Sequence, residues 1–359
     1  MKIGFIGLGL IGGSIAKRLK KVHSEYHLIA YSRTRAKLEL AQADGVIDEI
    51  VDEVDEHFRD CDVIYLCTPV SFNEMYLAKL KDVIGINTII TDVGSTKAEI
   101  GECVHALGLD RQFCGGHPMA GSEKTGYENA NDHLMENAFY VLTPTRQTPK
   151  AYVDILYQLA LDLGATPRVL ESHEHDEAVA AISHVPHLIA CALVNMVKHN
   201  DHDDLMKTMA AGGFKDITRI ASSSPEMWEQ ICMTNQAPIS EFIEKYIASL
   251  QDILSDVKSG RGQGIYDLFD EARAYRNSIT DSVSGPIEKA YYLYCDIVDR
   301  PGAIAEIAVL LATRSISIKN IGIIQNRNFE PGVLRIQFYD RNSLDRAREV
   351  LRQYNFLAE

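Results

Sequence analysis

Short apolar runs alternate with helix-like patterns through the first 170 residues of the chain. The runs are rich in Val, Ile, Leu and Tyr, and the segments between them repeat apolar positions every three or four residues. Strands are predicted at 2–6, 27–31, 62–67, 87–91, 112–114, 139–142 and 166–170, and helices at 14–21, 35–44, 73–80, 98–107 and 151–163. Because strands that alternate with helices form parallel βαβ units, residues 1–170 predict an α/β domain.

The pattern changes after residue 171, where strand signals disappear. Helices are predicted at 174–199, 201–210, 215–221, 226–234, 239–258 and 264–280. One helix carries a broad apolar stripe, formed by Ile239, Phe242, Ile243, Tyr246, Ile247, Leu250 and Leu254. So large an apolar face is usually buried against other helices. We therefore expect an all-helical domain at 171–281 that joins two copies of the chain as a homodimer.

A third domain is predicted at 290–359, after a linker rich in Ser and Gly. Strands are expected at 290–298, 316–324 and 333–339, helices at 302–313 and 343–352, and a short strand in the last residues. This order is typical of the ferredoxin-like βαββαβ fold.

Composition excludes several classes of function. The chain has 359 residues and a net charge of −14, which disfavours non-specific nucleic-acid binding because phosphate contacts need Lys and Arg. No apolar run was found to approach the ~18 residues of a membrane span, so no membrane contact is expected. The seven cysteines are odd in number and form no CxxC pair, which indicates reduced thiols in a cytoplasmic protein.

A glycine-rich turn follows the first predicted strand and opens a helix. This context makes the GxGxxG pattern a dinucleotide-binding signal and the first domain a Rossmann-type fold. The helix N-terminus would hold the pyrophosphate. The predicted cofactor contacts in this turn are Gly7, Leu8, Gly9, Leu10, Ile11 and Gly12.

The residue expected to bind the adenosine ribose is not acidic. NAD-binding domains usually carry Asp or Glu about 20 residues after the glycines, and Ser32 occupies that place here. Arg33 and Arg35 follow, and an Arg in this position can pair with the 2′-phosphate of NADP. A solvated charge cluster at a helix start explains the same residues, so NAD and NADP both remain open.

Two further motifs carry polar groups that suit acid–base chemistry. Ser95 lies in Asp92-Val93-Gly94-Ser95-Thr96-Lys97, after a predicted strand, where it would either contact a ligand or cap the next helix. His117 lies in a loop rich in Gly and Pro, which is not the pattern of a core histidine. Imidazole titrates near neutral pH, so His117 is a candidate general base, with a structural histidine as the alternative.

The helical part adds a histidine-rich segment and a basic one. The spacings of His173, His175, His184 and His187 match no standard zinc site. Contacts with a polar substrate are therefore favoured over a metal, and no metal is expected. Arg219, in GGFKDITRIA, could bind a carboxylate with both guanidinium nitrogens. The alternative is a surface ion pair between Asp216 and Arg219.

Together these motifs resemble the prephenate/arogenate dehydrogenase family of tyrosine biosynthesis. The resemblance rests on GLGLIGGS, TDVGSTK, GGHPMAGSEKTG, SHVPH and GGFKDITRIA, in this order, and covers roughly residues 1–280. It implies that His117 is the catalytic base, that Ser95 positions it and touches substrate and cofactor, and that Arg219 holds a substrate carboxylate. It also implies contacts by residues near these, namely Ser122, His175, His187, Asp216 and Gly213 for the substrate and Thr68 and Pro69 for the cofactor.

The implied reaction is oxidative decarboxylation of prephenate to 4-hydroxyphenylpyruvate. His117 would take the hydroxyl proton while hydride passes to NAD, favoured here by family habit, or to NADP. Arogenate, which differs by an amino group, is the alternative substrate. A non-catalytic sensor of NAD and amino acids is the alternative from another class of protein.

The C-terminal segment DRPGAIAEIAVLLATRSISIKNIGI resembles an ACT domain, a small-molecule sensor found on enzymes of amino-acid pathways. The resemblance implies L-tyrosine as an allosteric inhibitor, with Asp299, Gly302 and Asn320 near the ligand. The alternative is that this domain only adds dimer contacts.

Overall fold

The computed structural model describes residues 1–121, 124–279, 291–297, 300–324, 332–354 and 356. The chain forms two compact units, 1–283 and 284–359, and each is described by itself.

A five-stranded parallel sheet forms the first part of unit 1. Its order is β3-β2-β1-β4-β5, with every neighbouring pair parallel. The strands are β1 (Lys2–Ile6), β2 (His27–Tyr31), β3 (Glu49–Val51), β4 (Val63–Leu66) and β5 (Ile89–Asp92), and the helices between them are α1 (Leu10–Val22), α2 (Arg35–Ala43), α3 (Asn73–Lys81) and α4 (Ala98–Leu107). The Rossmann-type expectation is confirmed in this sheet, although β3 was not predicted.

Three further strands continue the domain. They are β6 (Cys114–Pro118), β7 (Phe139–Pro144) and β8 (Thr166–Val169), with α5 (Lys150–Asp162) between the last two. β6 and β7 pair antiparallel, β7 and β8 pair parallel, and a parallel bridge from Ile90 to Phe113 connects this sheet to the first.

Strand β6 corrects one sequence expectation, since His117 lies in the strand opposite Val141 and not in a loop. The two preceding glycines are needed for close packing. A Cβ at Gly115 would clash with the Thr143 hydroxyl, and one at Gly116 would lie 2.6 Å from the Asp92 carbonyl oxygen.

The parallel strands are apolar on both faces because helices cover both sides of the sheet. Phe5 and Tyr65 stack in one core with α1 and α5, and Ile64 and Leu66 lie in the other core with α3 and α4. This double burial explains why the strands are continuous apolar runs in the sequence.

Unit 1 continues as helices after residue 171. They are α6 (Ser172–Val179), α7 (Val185–Asn200), α8 (Leu205–Met209), α9 (Gly212–Thr218), α10 (Pro225–Thr234), α11 (Gln236–Ser259) and α12 (Gly262–Ser278). A π-helical turn at Ala180–His184 joins α6 to α7, and a 3₁₀ turn follows α9 at Arg219–Ser222. Pro186 lies at the start of α7, directly after the π-helical turn.

The helical part leaves much apolar surface uncovered. In α11, Ile247, Leu250 and Leu254 are each about half exposed, and the internal core here is small. The continuous stretch Ser172–Asn200 is also long and apolar enough to span a membrane by length and composition, which the sequence analysis did not anticipate. Its His175, Asp176 and His184 are buried in contacts with protein groups, as in a helix of a folded domain.

Unit 2 has the order βαββα in its described residues. The elements are β9 (Tyr291–Ile297), α13 (Ala303–Ala312), β10 (Ile318–Ile324), β11 (Gly332–Phe338) and α14 (Arg341–Gln353). β11 lies between β10 and β9 and is antiparallel to both, the arrangement of a split βαβ unit. The predicted final strand and Asp299 lie outside the described residues.

Candidate active site

The glycine turn after β1 leaves an open space in front of helix α1. Gly7 has φ +93°, and a Cβ there would lie 2.6 Å from the Cys67 carbonyl oxygen. A Cβ on Gly12 would lie 2.7 Å from the Gly7 carbonyl oxygen, whereas one on Gly9 would meet nothing within 4 Å. Gly7 and Gly12 therefore allow close packing, and Gly9 leaves room at the helix N-terminus.

This geometry fits a dinucleotide. The first turn of α1 contains no acidic residue, and the unpaired N–H groups of a helix N-terminus attract phosphate. Leu8 departs from expectation because its side chain is buried in the sheet core, so only its backbone can face a cofactor. Leu10 and Ile11 begin the helix.

The ribose end of the crevice lies after β2 and β4. Ser32 is half-buried, and its Oγ accepts a 3.5 Å hydrogen bond from the Thr34 N–H. The Arg33 guanidinium lies 4.4 Å from the centroid of the Phe72 ring. Thr68 Oγ1 donates to Asn73 Oδ1 over 2.9 Å, and Pro69 precedes the short turn that leads into α3.

His117 ends a chain of three hydrogen-bonded side chains, of which the other two, His175 and Asp176, are buried. Its Nδ1 lies 2.8 Å from His175 Nε2, and His175 Nδ1 lies 2.8 Å from Asp176 Oδ1. The Asp176 carboxylate accepts the backbone N–H groups of Lys97 at 2.8 Å and Ala98 at 2.7 Å. These two groups begin helix α4, whose positive N-terminal end stabilises the carboxylate.

The anchored carboxylate determines where the ring protons lie. Because Asp176 accepts, His175 Nδ1 must donate to it, which leaves His175 Nε2 as an acceptor. His117 Nδ1 then donates to His175, and His117 Nε2 keeps a lone pair. The arrangement holds His117 in the tautomer that can take a proton from a substrate hydroxyl.

The environment also keeps His117 neutral. Burial lowers the pKa of His117 well below its usual value of 6.5, and the positive charges of His175, when protonated, and Lys97 lower it further. His117 as a residue is only partly buried, unlike His175 and Asp176.

A buried ion pair fixes the backbone beside His117. The Lys97 ammonium pairs with Asp92 and donates to the Gly116 carbonyl oxygen over 2.8 Å. The Asp92 carboxylate accepts the Gly116 N–H at 3.0 Å. Both charged side chains are fully enclosed. Asp92, Lys97 and Asp176 were not predicted as functional residues, although the first two stand in the Ser95 motif.

Ser95 is not the helix cap, and its predicted contact with substrate and cofactor remains a prediction. It lies half-buried between β5 and α4, and within the described residues no hydrogen bond joins it to His117. The helix N-cap is Lys97, so Ser95 does not cap α4 either. His175, expected to line the substrate pocket, instead lies behind His117 with 1% of its surface exposed.

A second cluster of side chains lies on α7 and α10. His187 stacks on Trp228 with ring centroids 3.7 Å apart, and its Nδ1 donates to the Ser183 carbonyl oxygen over 2.8 Å. Burial lowers the pKa of His187, and the positive charge of Arg219 lowers it further. Arg219 therefore lies close enough to His187 to act on it electrostatically.

His184 has a structural role. Its Nδ1 accepts from the Asn235 amide at 3.1 Å, and the same amide donates to the Asp176 carbonyl oxygen at 2.9 Å. Burial lowers the pKa of His184 to about 4. Asn235, which precedes α11, therefore joins that helix to α6 and to the π-helical turn.

Of the remaining predicted residues, two are exposed and one lies outside the described residues. Gly213 and Asp216 are exposed on α9, before the turn that begins at Arg219. Ser122 falls outside the described residues, and so its predicted contact remains a prediction. Within the described ranges, no group of three or more His, Cys, Asp or Glu side chains is arranged to hold a metal ion.

Two family models match the chain. "Prephenate dehydrogenase, nucleotide-binding domain" matches residues 15–169, and "Prephenate dehydrogenase, dimerization domain" matches residues 171–271. The two matches meet at the boundary between the parallel sheet and the helical part.

Curated and solved relatives agree with these matches. The chain is 38% identical to prephenate dehydrogenase of Bacillus subtilis (strain 168), over 96% of this chain and 94% of that protein. It is similar to the crystal structure of prephenate dehydrogenase from A. aeolicus in complex with hydroxyphenyl propionate and NAD⁺, with 30% identity, a TM-score of 0.73 and coverage of 78% and 98%. Synechocystis arogenate dehydrogenase gives 31% identity, a TM-score of 0.71 and coverage of 77% and 99%.

Proposed function

The chain belongs to the prephenate dehydrogenase family, and we propose that it oxidises and decarboxylates prephenate at His117, with NAD as cofactor. The observation that carries this proposal is the hydrogen-bonded chain from the α4 N-terminus through Asp176 and His175 to His117. A non-catalytic sensor would have no need of a neutral, oriented imidazole at the surface of the crevice.

The cofactor would occupy the space in front of α1. The backbone of Gly9, Leu10 and Ile11 would hold its pyrophosphate, and Ser32 and Thr68 lie at the edge where its ribose groups would bind. When bound, the nicotinamide supplies the hydride acceptor.

His117 provides the acid–base chemistry. Its Nε2 accepts the proton of the ring hydroxyl as hydride leaves the same carbon, and the C–O bond gains double-bond character. The bond to the ring carboxylate then breaks, and its electrons make the ring aromatic. The proton on His117 returns to the phenolate oxygen. The products are 4-hydroxyphenylpyruvate, carbon dioxide and the reduced cofactor, so atoms and charge balance.

Binding of the substrate needs local cations, because prephenate is a dianion and the chain has a net charge of −14. Arg219 and His187 lie near one another on the helical part. We assign a substrate carboxylate to Arg219, with His187 Nε2 available to a neighbouring polar group. Asp216, one turn before Arg219, would orient the guanidinium.

The direct test is to incubate the chain with prephenate and NAD⁺. The absorbance of the reduced cofactor should rise in step with 4-hydroxyphenylpyruvate, identified by mass spectrometry. Reduced cofactor without that product would contradict the proposed reaction, and NAD⁺ binding without turnover would favour a sensor. Arogenate in a parallel assay tests the second substrate, which the likeness to an arogenate dehydrogenase makes relevant.

The helical part would form the interface of a homodimer. Its match to a dimerization domain and the exposed apolar face of α11 support this assembly. The enzyme would act in the cytoplasm.

Unit 2 would act as an ACT domain that binds L-tyrosine. Gly302 has φ +89° and precedes helix α13, and a Cβ there would meet nothing within 4 Å, so a ligand could approach the backbone. Asn320 lies at an irregularity in β10. Tyrosine that binds one conformational state better would inhibit with a coupling of typically 1–3 kcal/mol. Deletion of residues 286–359 should leave an active enzyme with altered tyrosine inhibition, and an unchanged inhibition curve would place the site elsewhere.

A further inference from the structure

An acidic residue follows the strand next to β2, at the same edge of the sheet as Ser32. Strands β2 and β3 are parallel, and Tyr31 pairs with Val51 in their register. The next residues along the two strands are Ser32 and Asp52. Both therefore follow the carboxyl ends of adjacent strands, at the edge where the adenosine ribose binds in Rossmann-type domains.

Asp52 is paired with the cation that would otherwise attract a phosphate. The Arg35 guanidinium bonds to Asp52 through one terminal nitrogen, and its Nε donates to Glu39 Oε1 over 3.0 Å. Two carboxylates and one guanidinium give this group a net charge of −1.

We propose that Asp52, together with Glu39, makes this chain select NAD over NADP, in place of the acid that is absent at position 32. This inference rests on the proposed function, since it concerns the cofactor of the same reaction. The group repels the 2′-phosphate of NADP, and the two carboxylates compete with that phosphate for Arg35.

The other nearby cation is held on the opposite side of Ser32. Arg33 lies over the Phe72 ring, which belongs to the turn before α3. Arg33 stays exposed, so the carboxylates of Asp52 and Glu39 act against any phosphate that Arg33 or Arg35 would attract.

The test is calorimetric binding of NAD⁺ and NADP⁺ to the full chain at low ionic strength, without substrate. Wild type should bind NAD⁺ more tightly. Asp52→Asn should strengthen NADP⁺ binding by about fivefold or more, because it removes a like charge and frees Arg35. The affinity for NAD⁺ should stay close to that of wild type, and added salt should reduce the NADP⁺ gain.

Two further variants separate the specific effect from a general charge effect. Asp60→Asn removes the same charge near the opposite end of the sheet, before β4, and should leave the preference unchanged. Arg35→Gln added to Asp52→Asn should abolish the gain in NADP⁺ affinity.

Three results would overturn the inference. The first is equal affinity of wild type for both cofactors, and the second is an equal effect of Asp52→Asn and Asp60→Asn. The third is a chain that binds neither cofactor, which would also refute the proposed function. Tight NAD⁺ binding without a response to Asp52→Asn would refute this inference alone.

Discussion

His175 Nε2 lies 2.8 Å from His117 Nδ1, although the two residues are 58 positions apart in the sequence. His117 is on a strand of the α/β domain, and His175 is on the first helix of the helical part. The hydrogen bond therefore joins the two parts of unit 1 at the proposed base. The orientation of the base depends on the packing of α6 against α4, where Asp176 accepts the first N–H groups of the helix.

Replacing His117 by Asn should remove turnover while the fold is retained. The Asn amide can still donate to His175, but it cannot accept a proton as imidazole does. Loss of a general base typically lowers the rate by ~10²–10⁴-fold. Steady-state rates at saturating prephenate measure the loss, and NAD⁺ affinity should not change. His199→Asn, at an exposed position near the end of α7, serves as the control. Near-wild-type turnover in His117→Asn would refute the assignment.

The pH dependence tests His175 as a positioning residue. Neutral His117 is the active form, and its pKa lies below 6.5, so kcat/KM should remain flat from neutral pH to below 6.5 and then fall. His175→Gln should lower kcat on the order of 10²-fold through a misplaced base, with a smaller change in KM.

The same variant should move the acid limb of the pH profile. His175 accepts from His117 in the neutral hydrogen-bonded chain and lowers the pKa of His117 only when it is itself charged. Gln cannot gain that charge, so the variant should raise the pKa of His117 and shift the limb to higher pH. A lower rate with an unshifted profile and reduced thermal stability would indicate a purely structural role for His175.

Replacing Arg219 by Ala should weaken prephenate binding and leave NAD⁺ binding intact. A hydrogen bond to a charged group contributes about 1.5–3 kcal/mol, which corresponds to roughly 10- to 150-fold in affinity. The pKa of His187 should rise in the same variant, because Arg219 lowers it, and NMR titration can measure this change. Lys215→Ala, exposed on α9, is the matched control. Unchanged substrate affinity would show that Arg219 does not hold the carboxylate.

Glutamate on the apolar face of α11 should dissociate the proposed dimer. Leu250 and Leu254 are 45% and 51% exposed in the single chain, and charges at both positions would have to be buried in an interface. Sedimentation at micromolar concentration should show a dimer for wild type and a monomer for Leu250→Glu/Leu254→Glu. Gln251→Glu, between them, tests the effect of charge alone. A monomeric wild type would contradict the prediction.

The sequence predicted the helices and most strands because burial on both faces of the sheet produces continuous apolar runs. It missed β3, whose three residues Glu49–Val51 lie between acidic neighbours and give too short a signal. It placed His117 in a loop, because Gly115 and Gly116 suggest flexibility when their real role is close packing. The contacts that orient His117 connect distant segments, and no local pattern encodes them.

The buried pair of Lys97 and Asp92 should be costly to break from either side. Lys97→Met leaves the Asp92 carboxylate enclosed without its cation, and the loss of one partner of a buried pair typically costs about 3–5 kcal/mol. Asp92 also accepts the Gly116 N–H, so the strand that carries His117 should loosen as well. The double variant Lys97→Met/Asp92→Asn removes both charges and keeps a side-chain acceptor for that N–H, so it should recover part of the stability. Urea unfolding of the single and the double variant measures the difference in their stability. Their kcat values should fall in the same order, because stability and turnover both depend on the position of Gly116 beside His117. Equal destabilisation in the single and double variants would show that packing, and not the unpaired charge, determines the cost.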